Sequence, residues 1–207
     1  MAIYNCSNTR KMEQEAPIHI FKKYIAGNFN NDLQVKAELA NNKQIHPYAK
    51  HINRVLTTKQ LVIPSAISNS TNNFYLLEES YYTYPGKPQE VKPYLFYFYA
   101  KGKDSVGLTV YQIPSRYTKE SFTNNNPNLQ LDYKELIPSS TFSGATYYYD
   151  KATKHFTTTS THVLNGNMQF TLTETITPTQ LIVMELLTKD GKQLTPYNTP
   201  IVYDRVQ

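Results

Sequence analysis

Val91-Lys92-Pro93-Tyr94-Leu95-Phe96-Tyr97-Phe98-Tyr99-Ala100 is the stretch whose reading decides the fold. From Tyr94 to Ala100 it is apolar or aromatic throughout. It is far shorter than the roughly 18 apolar residues that suggest a membrane-spanning helix, and aromatic residues favour strands. Successive side chains of a strand point to opposite faces. Tyr94, Phe96 and Phe98 therefore share one face, and Leu95, Tyr97 and Tyr99 the other. One face belongs to an interior. The second must be covered by a helix or a partner, or left exposed, and a large exposed apolar face argues for a homodimer.

Working outward, Phe74–Tyr82 and Val106–Ile113 have the same character. They are tied to the central run by Thr83-Tyr84-Pro85-Gly86-Lys87-Pro88 and by Lys101-Gly102-Lys103-Asp104, which are turn sequences, so the three form an antiparallel meander. Residues 114–140 are a long connection broken by Asn and Pro, with a helical turn predicted near Leu129–Leu136. Four more strands are predicted over 146–150, 154–160, 168–175 and 181–187. Turns separate them at Asp150-Lys151, Asn165-Gly166-Asn167 and Thr177-Pro178. After Lys189-Asp190-Gly191-Lys192, a strand from Pro200 to Val206 closes the sheet.

Upstream, Ile18, Phe21 and Ile25 recur at spacings of three and four. Pro17 suits a first helical turn and Gly27 suits a stop. The spacing predicts a helix that plugs or flanks a barrel end. Leu33, Val35, Ala37 and Leu39 alternate, which predicts a first strand over 33–39, and a second is predicted over 53–63, ended by Pro64. Residues 1–15 read as a flexible lead and 16–207 as one domain. About ten short strands make the chain mainly β, an antiparallel barrel or sandwich with a short N-terminal helix, and 207 residues suit a single domain of that class.

The formal charge is +5, from 21 basic and 16 acidic side chains, with no basic run longer than Lys22-Lys23. That excludes a clustered phosphate footprint, so no nucleic-acid partner is expected. Cys6 is the single cysteine, which excludes an intramolecular disulfide and a Cys-rich metal site. A Cys6-Ser7-Asn8 start followed by a polar tether suits a lipid anchor on a trimmed leader, although Asn5 is a poor neighbour for one. Localisation stays open between the periplasm or cell envelope and the cytoplasm. None of His19, His46, His51, His155 and His162 lies two or four residues from another, and His46 and His51 form the nearest pair. No metal site is expected from that spacing. No phosphate loop, His-Glu-x-x-His or assembled triad is present, and no catalytic residue is nominated. The glycosylation matches at Asn5 and Asn69 are too short to carry weight in an Asn- and Thr-rich chain.

The candidate chemistry lies at Glu78-Glu79. Adjacent strand residues face opposite ways, so one carboxylate is expected in solvent and the other in the interior. A buried carboxylate needs a partner; Arg54 and the nearby tyrosines are candidates. The inner acid is either a structural anchor or a ligand contact. Tyr75, Tyr82, Tyr94, Tyr97, Tyr99 and Tyr111 can line a pocket for a flat, partly apolar ligand, although Tyr94 lies opposite Tyr97 and Tyr99. The alternative is a filled core with no cavity.

Several short pieces, in order, resemble one family. Tyr24-Ile25-Ala26-Gly27-Asn28-Phe29-Asn30-Asn31 with Gln34, then His46-Pro47 and Asn53-Arg54-Val55, are similar to the entry of the CpcT/CpeT-type phycobiliprotein chromophore lyases. Leu76-Leu77-Glu78-Glu79-Ser80 resembles that family's Tyr-Val-Glu-Gln-Ala strand, and Pro93-Tyr94 the start of its Pro-Tyr-Arg-x-Arg strand. Val110-Tyr111-Gln112-Ile113, Asp190-Gly191-Lys192-Gln193 and the end to Arg205 resemble later strands and turns. The resemblance spans about residues 20–206. It implies a lipocalin-like (calycin-like) antiparallel barrel that holds an open-chain tetrapyrrole, a bilin, and attaches it to a cysteine of an acceptor protein.

The chain departs from the pattern where the family's two arginines fall on Leu95 and Tyr97, which cannot fork onto propionates. A later family cysteine is missing around Phe142-Ser143-Gly144. Glu78 and Tyr94 carry over. The expectation is a divergent relative that binds a small hydrophobic or tetrapyrrole-type ligand without the full lyase chemistry. Its binding candidates are Glu78, Tyr94, Tyr97, Tyr82, Tyr111 and Arg54. A working bilin lyase and an envelope-associated module with a filled core are the alternatives.

Overall fold

The computed structural model describes residues 15–62, 71–142 and 144–207. Cys6, Asn5, Asn69 and most of the expected N-terminal lead lie outside them. The elements run α1 (Pro17–Ile25), β1 (Gly27–Asn30), α2 (Asp32–Ala40), β2 (Tyr48–Val55), β3 (Leu61–Val62), β4 (Asn73–Thr83), β5 (Glu90–Gly102) and β6 (Ser105–Tyr111). They continue with β7 (Leu131–Asp132), a 3-10 turn (Tyr133–Glu135), β8 (Ala145–Asp150), β9 (His155–Val163), β10 (Met168–Ile176), β11 (Gln180–Lys189), β12 (Lys192–Gln193) and β13 (Ile201–Val206).

Ten strands close on themselves in the order β10-β9-β8-β6-β5-β4-β2-β1-β13-β11, and β11 pairs back onto β10. Closure removes the free edges of the sheet. The result is a mainly β, lipocalin-like antiparallel barrel with a short N-terminal helix. The meander is β4-β5-β6, with Glu78 opposite Tyr94 and Phe96 opposite Val110.

Two expected strands differ. Residues 33–39 form the middle of α2. Leu33, Gln34, Lys36, Ala37, Glu38 and Leu39 are all good helix formers, and alternation over seven residues does not separate a strand from a short helix. Only Val35 is buried on α2; Leu33 is 65% exposed and Leu39 45%. The true first strand is Gly27–Asn30, where Phe29 points inward. The second begins at Tyr48, directly after Pro47, rather than at Asn53, and β3 is a separate two-residue strand.

Helix α1 plugs one end of the barrel. Its Phe21 ring is fully buried and stands 4.9 Å from each of Phe98, Tyr147 and Phe156. Gly27 does not continue the helix as a left-handed cap. It opens β1 at φ +147, and the Arg205 guanidinium occupies the place a Cβ would take. From there Arg205 donates to the carbonyls of Ala26 (2.7 Å), Tyr24 (2.5 Å) and Lys23 (3.2 Å). These are the orphan acceptors of a helix C-terminus, so the last strand fastens the plug.

A second core lies outside the barrel. Leu95 and Leu77 point outward from β5 and β4, yet both are fully buried, beneath Phe122, Leu129 and Leu131 of the 112–140 connection. The outer face of the meander is thus covered in large part by the chain's own connection.

Candidate functional site

Period-two alternation fixes what enters the barrel. Along β4 the inward set is Phe74, Leu76, Glu78, Ser80 and Tyr82; along β5 it is Lys92, Tyr94, Phe96 and Phe98. At the α1 end these positions are filled by aromatic rings. Further along, the interior opens into a cavity of about 240 Å³. Its apolar wall includes Phe96, Leu108, Val110, Phe142, Phe170 and Leu172. Its polar wall brings together His51, Glu78, Glu174 and Glu185 from four strands, with Lys92, Tyr94, Tyr147, Ser160 and His162.

Glu78 is the organised acid. Its Oε1 lies 3.1 Å from His51 Nδ1 and accepts from Ser80 Oγ at 2.8 Å. Burial pushes its pKa up, but the His51 charge and hydrogen bond, with that of Ser80, outweigh burial and hold it below the usual carboxylate range. For His51, burial favours the neutral ring; the carboxylates of Glu78, Glu185 and Glu174 reverse that and raise its pKa. The ring also stands edge-on to Tyr203 at 4.3 Å.

Glu174 and Glu185 face the same space with less support. Glu174 accepts from the Tyr147 hydroxyl at 2.6 Å. Burial, aided by the neighbouring Glu78 charge, still raises its pKa to about 7. Glu185 is raised chiefly by burial and further by Glu78, against the opposing pull of His51 and Lys92. Three carboxyl groups therefore share the interior with two imidazoles, those of His51 and His162, and, at the rim, the half-exposed Lys92.

No family model matches the chain, and a search of the curated proteins finds no match either. Function has to be read from the site itself.

Of the six binding candidates, Glu78 and Tyr94 line the cavity. Tyr82 is also inward and buried, but it packs in the barrel core beside the cavity rather than lining it. Tyr97 and Tyr111 are on the outer face, where they stack with Tyr75 (4.6 Å from Tyr97 and 6.1 Å from Tyr111) at the edge of the second core. Their odd parity on β5 and β6 puts the sheet between them and Glu78. Arg54 is exposed; it donates to Asn28 Oδ1 at 2.6 Å and cannot serve Glu78. Its place is taken by His51, which opposes Ser80 on the inward face that Glu78 shares, whereas Arg54 opposes Leu77 on the outward face.

Glu79, expected in solvent, is 1% exposed. It lies under the connection, where it accepts from the Asn124 backbone N–H at 2.7 Å and from the Tyr81 hydroxyl. Burial, with that hydrogen bond and the Glu79 charge, pushes the Tyr81 pKa up to about 12.

His46, the other half of the nearest histidine pair, is structural. Its Nδ1 meets Glu38 at 2.5 Å and its Nε2 the Thr199 carbonyl at 3.0 Å, tying α2 to the approach of β13. Sequence reading missed Glu174 and Glu185. For Glu174 a signal was present: on β10 the inward series is Met168, Phe170, Leu172, Glu174, Ile176, against Gln169, Thr171, Thr173 and Thr175 on the other face. On β11 both parities are apolar, so nothing marked Glu185.

Proposed function

We propose that this protein is a non-catalytic binding barrel for one small amphipathic molecule, built like the chromophore lyases it resembles but without their chemistry. The observation that carries this reading is the partly open interior. A barrel could have been filled by its aromatic side chains; here an apolar wall and a set of convergent polar groups face about 240 Å³ of space.

The size supports a small ligand. Pockets for drug-sized molecules begin at about 300 Å³, and a four-ring bilin belongs well above that lower limit. The chemistry supports the same choice. No arginine is among the residues lining the cavity, so propionates would meet three carboxyl groups and no guanidinium fork. Glu78 and Tyr94, the residues shared with the lyase pattern, sit opposite each other across β4 and β5. They serve here as ligand contacts.

The test is fluorescence titration with a neutral solvatochromic dye, N-phenyl-1-naphthylamine. Saturable one-to-one enhancement is expected, and Leu172→Trp, which fills the cavity, is expected to abolish it. No saturable binding at tens of micromolar, or binding indifferent to Leu172→Trp, overturns the reading. Absorbance titration with biliverdin and phycocyanobilin tests the tetrapyrrole branch. A saturable spectral shift weakened by Glu78→Gln would return the protein to bilin binding.

A further inference from the structure

We infer that the ligand of this cavity is a cation: a protonated amine on a short apolar body. The inference rests on the proposed binding function and names the chemistry of its ligand.

The donor and acceptor inventory of the interior is one-sided. Glu78 is satisfied by His51 and Ser80. Glu174 meets one donor, the Tyr147 hydroxyl. Glu185 forms no hydrogen bond through its carboxylate among the described residues. A carboxylate has about four acceptor sites, so the pair offers lone pairs that the wall does not use.

An independent observation comes from His51. Its Nδ1 faces Glu78 Oε1 and Ser80 Oγ, which fixes the ring hydrogen on that nitrogen. Its Nε2, on a side chain 8% exposed and lining the cavity, has no hydrogen-bond partner. The cavity thus presents two under-used carboxylates, beside an unpartnered imidazole nitrogen, to whatever fills it. An ammonium group carries three donors and no acceptor, and its charge offsets the excess of acid. The wall of Phe96, Leu172 and their neighbours takes the apolar body.

The groups that titrate around this space are Glu174 and Glu185 themselves, Glu78 and His51 across from them, Lys92 at the rim, His162 on β9, and the Tyr94 and Tyr147 hydroxyls. Raising pH through about 7 ionises Glu174, which favours a bound cation.

Calorimetry with octylammonium, 1-octanol and octanoate at pH 7.5 isolates the head group, because the three share one chain. Octylammonium is expected to bind at least tenfold tighter than octanol, and octanoate weakest. Glu185→Gln is expected to cut the preference for ammonium over octanol about fivefold while octanol binding stays unchanged. Between pH 5.5 and 8 octylammonium affinity is expected to rise severalfold and octanol affinity to stay level. If octanol binds and octylammonium binds no tighter, or octanoate binds best, the amine inference fails while the binding barrel stands. If none of the three binds at millimolar concentration, both fail.

Discussion

Glu78 and Glu79 are neighbours in sequence and live in different cores. Glu78 faces the barrel interior, where a charged imidazole and a hydroxyl stabilise its ionised form. Glu79 faces the opposite side of the same strand, where a backbone N–H from the connection and a tyrosine hydroxyl hold it. The inner core is a closed cylinder, plugged by a helix at one end and open as a cavity further along. The outer core is a patch of sheet under a long irregular strap. The difference teaches that burial alone does not mark a functional carboxylate. Glu79 is the more buried of the two, yet its oxygens are used up in fastening the strap, and no cavity adjoins it among the residues lining the interior.

The sharpest way to break this comparison is to remove one aromatic ring from each core. Phe21→Ala deletes the plug's central contact with three rings and is expected to cost about 4 kcal/mol, read as a lowered urea midpoint in one cooperative transition. Phe122→Ala removes a ring of equal size from the outer core and is expected to cost about 3 kcal/mol. It should first loosen the strap, so that amides in 112–140 lose hydrogen-exchange protection ahead of the barrel. Equal, global effects from both substitutions would show that the two cores are one cooperative unit.

Among the inner acids, Glu174 has a pH signature of its own. Glu174 ionises near its ordinary 4.5 in the unfolded chain and at about 7 in the barrel. Between those values the folded state holds the extra proton, so stability falls as pH rises across that window and levels off above it. Glu174→Gln removes the titration and keeps an acceptor for the Tyr147 hydroxyl. It is expected to stabilise the protein by about 2 kcal/mol at pH 8 and to change little at pH 4.5. A variant equally stabilised at both pH values would refute the buried-acid account.

This contrast also shows what the sequence could reveal. Strands β4, β5, β6 and β8–β11 were legible because runs of β-branched, aromatic and aliphatic residues are bounded by turn residues. The helix at 32–40 was not, since Leu33, Val35, Ala37 and Leu39 satisfy the strand period while their neighbours favour helix, and a short surface element exerts little packing to decide. The split of Glu78 from Glu79 followed from period two; the burial of both did not, because it depends on where residues 112–140 fold back. Glu174 and Glu185 join Glu78 only through closure of the barrel, a long-range pairing that no local pattern contains.

A smaller effect tests the outer acid. Glu79→Ala leaves the Asn124 N–H without its acceptor and the strap without a fastening. A cost of about 1–2 kcal/mol is expected, with faster proteolytic nicking within 112–140 and unchanged binding of the naphthylamine dye in the cavity. Loss of dye binding would mean that the strap shapes the interior and that the two cores are not separable.

The smallest expected effect is the most discriminating for the aromatic strand that decides the fold. Tyr94 and Tyr97 are three residues apart on β5, one inside and one outside. Tyr94→Ala enlarges the cavity and removes a hydroxyl that faces Glu78 and Glu185, whose charges, after burial, push its pKa up. Dye affinity is expected to fall about tenfold, since about 1.4 kcal/mol separates each decade of affinity. Tyr97→Ala trims only the outer stack with Tyr75 and Tyr99 and is expected to change affinity less than twofold. If Tyr97→Ala weakened binding as much as Tyr94→Ala, the ligand would have to lie on the outer face, and the cavity would be a void in a filled core rather than a site.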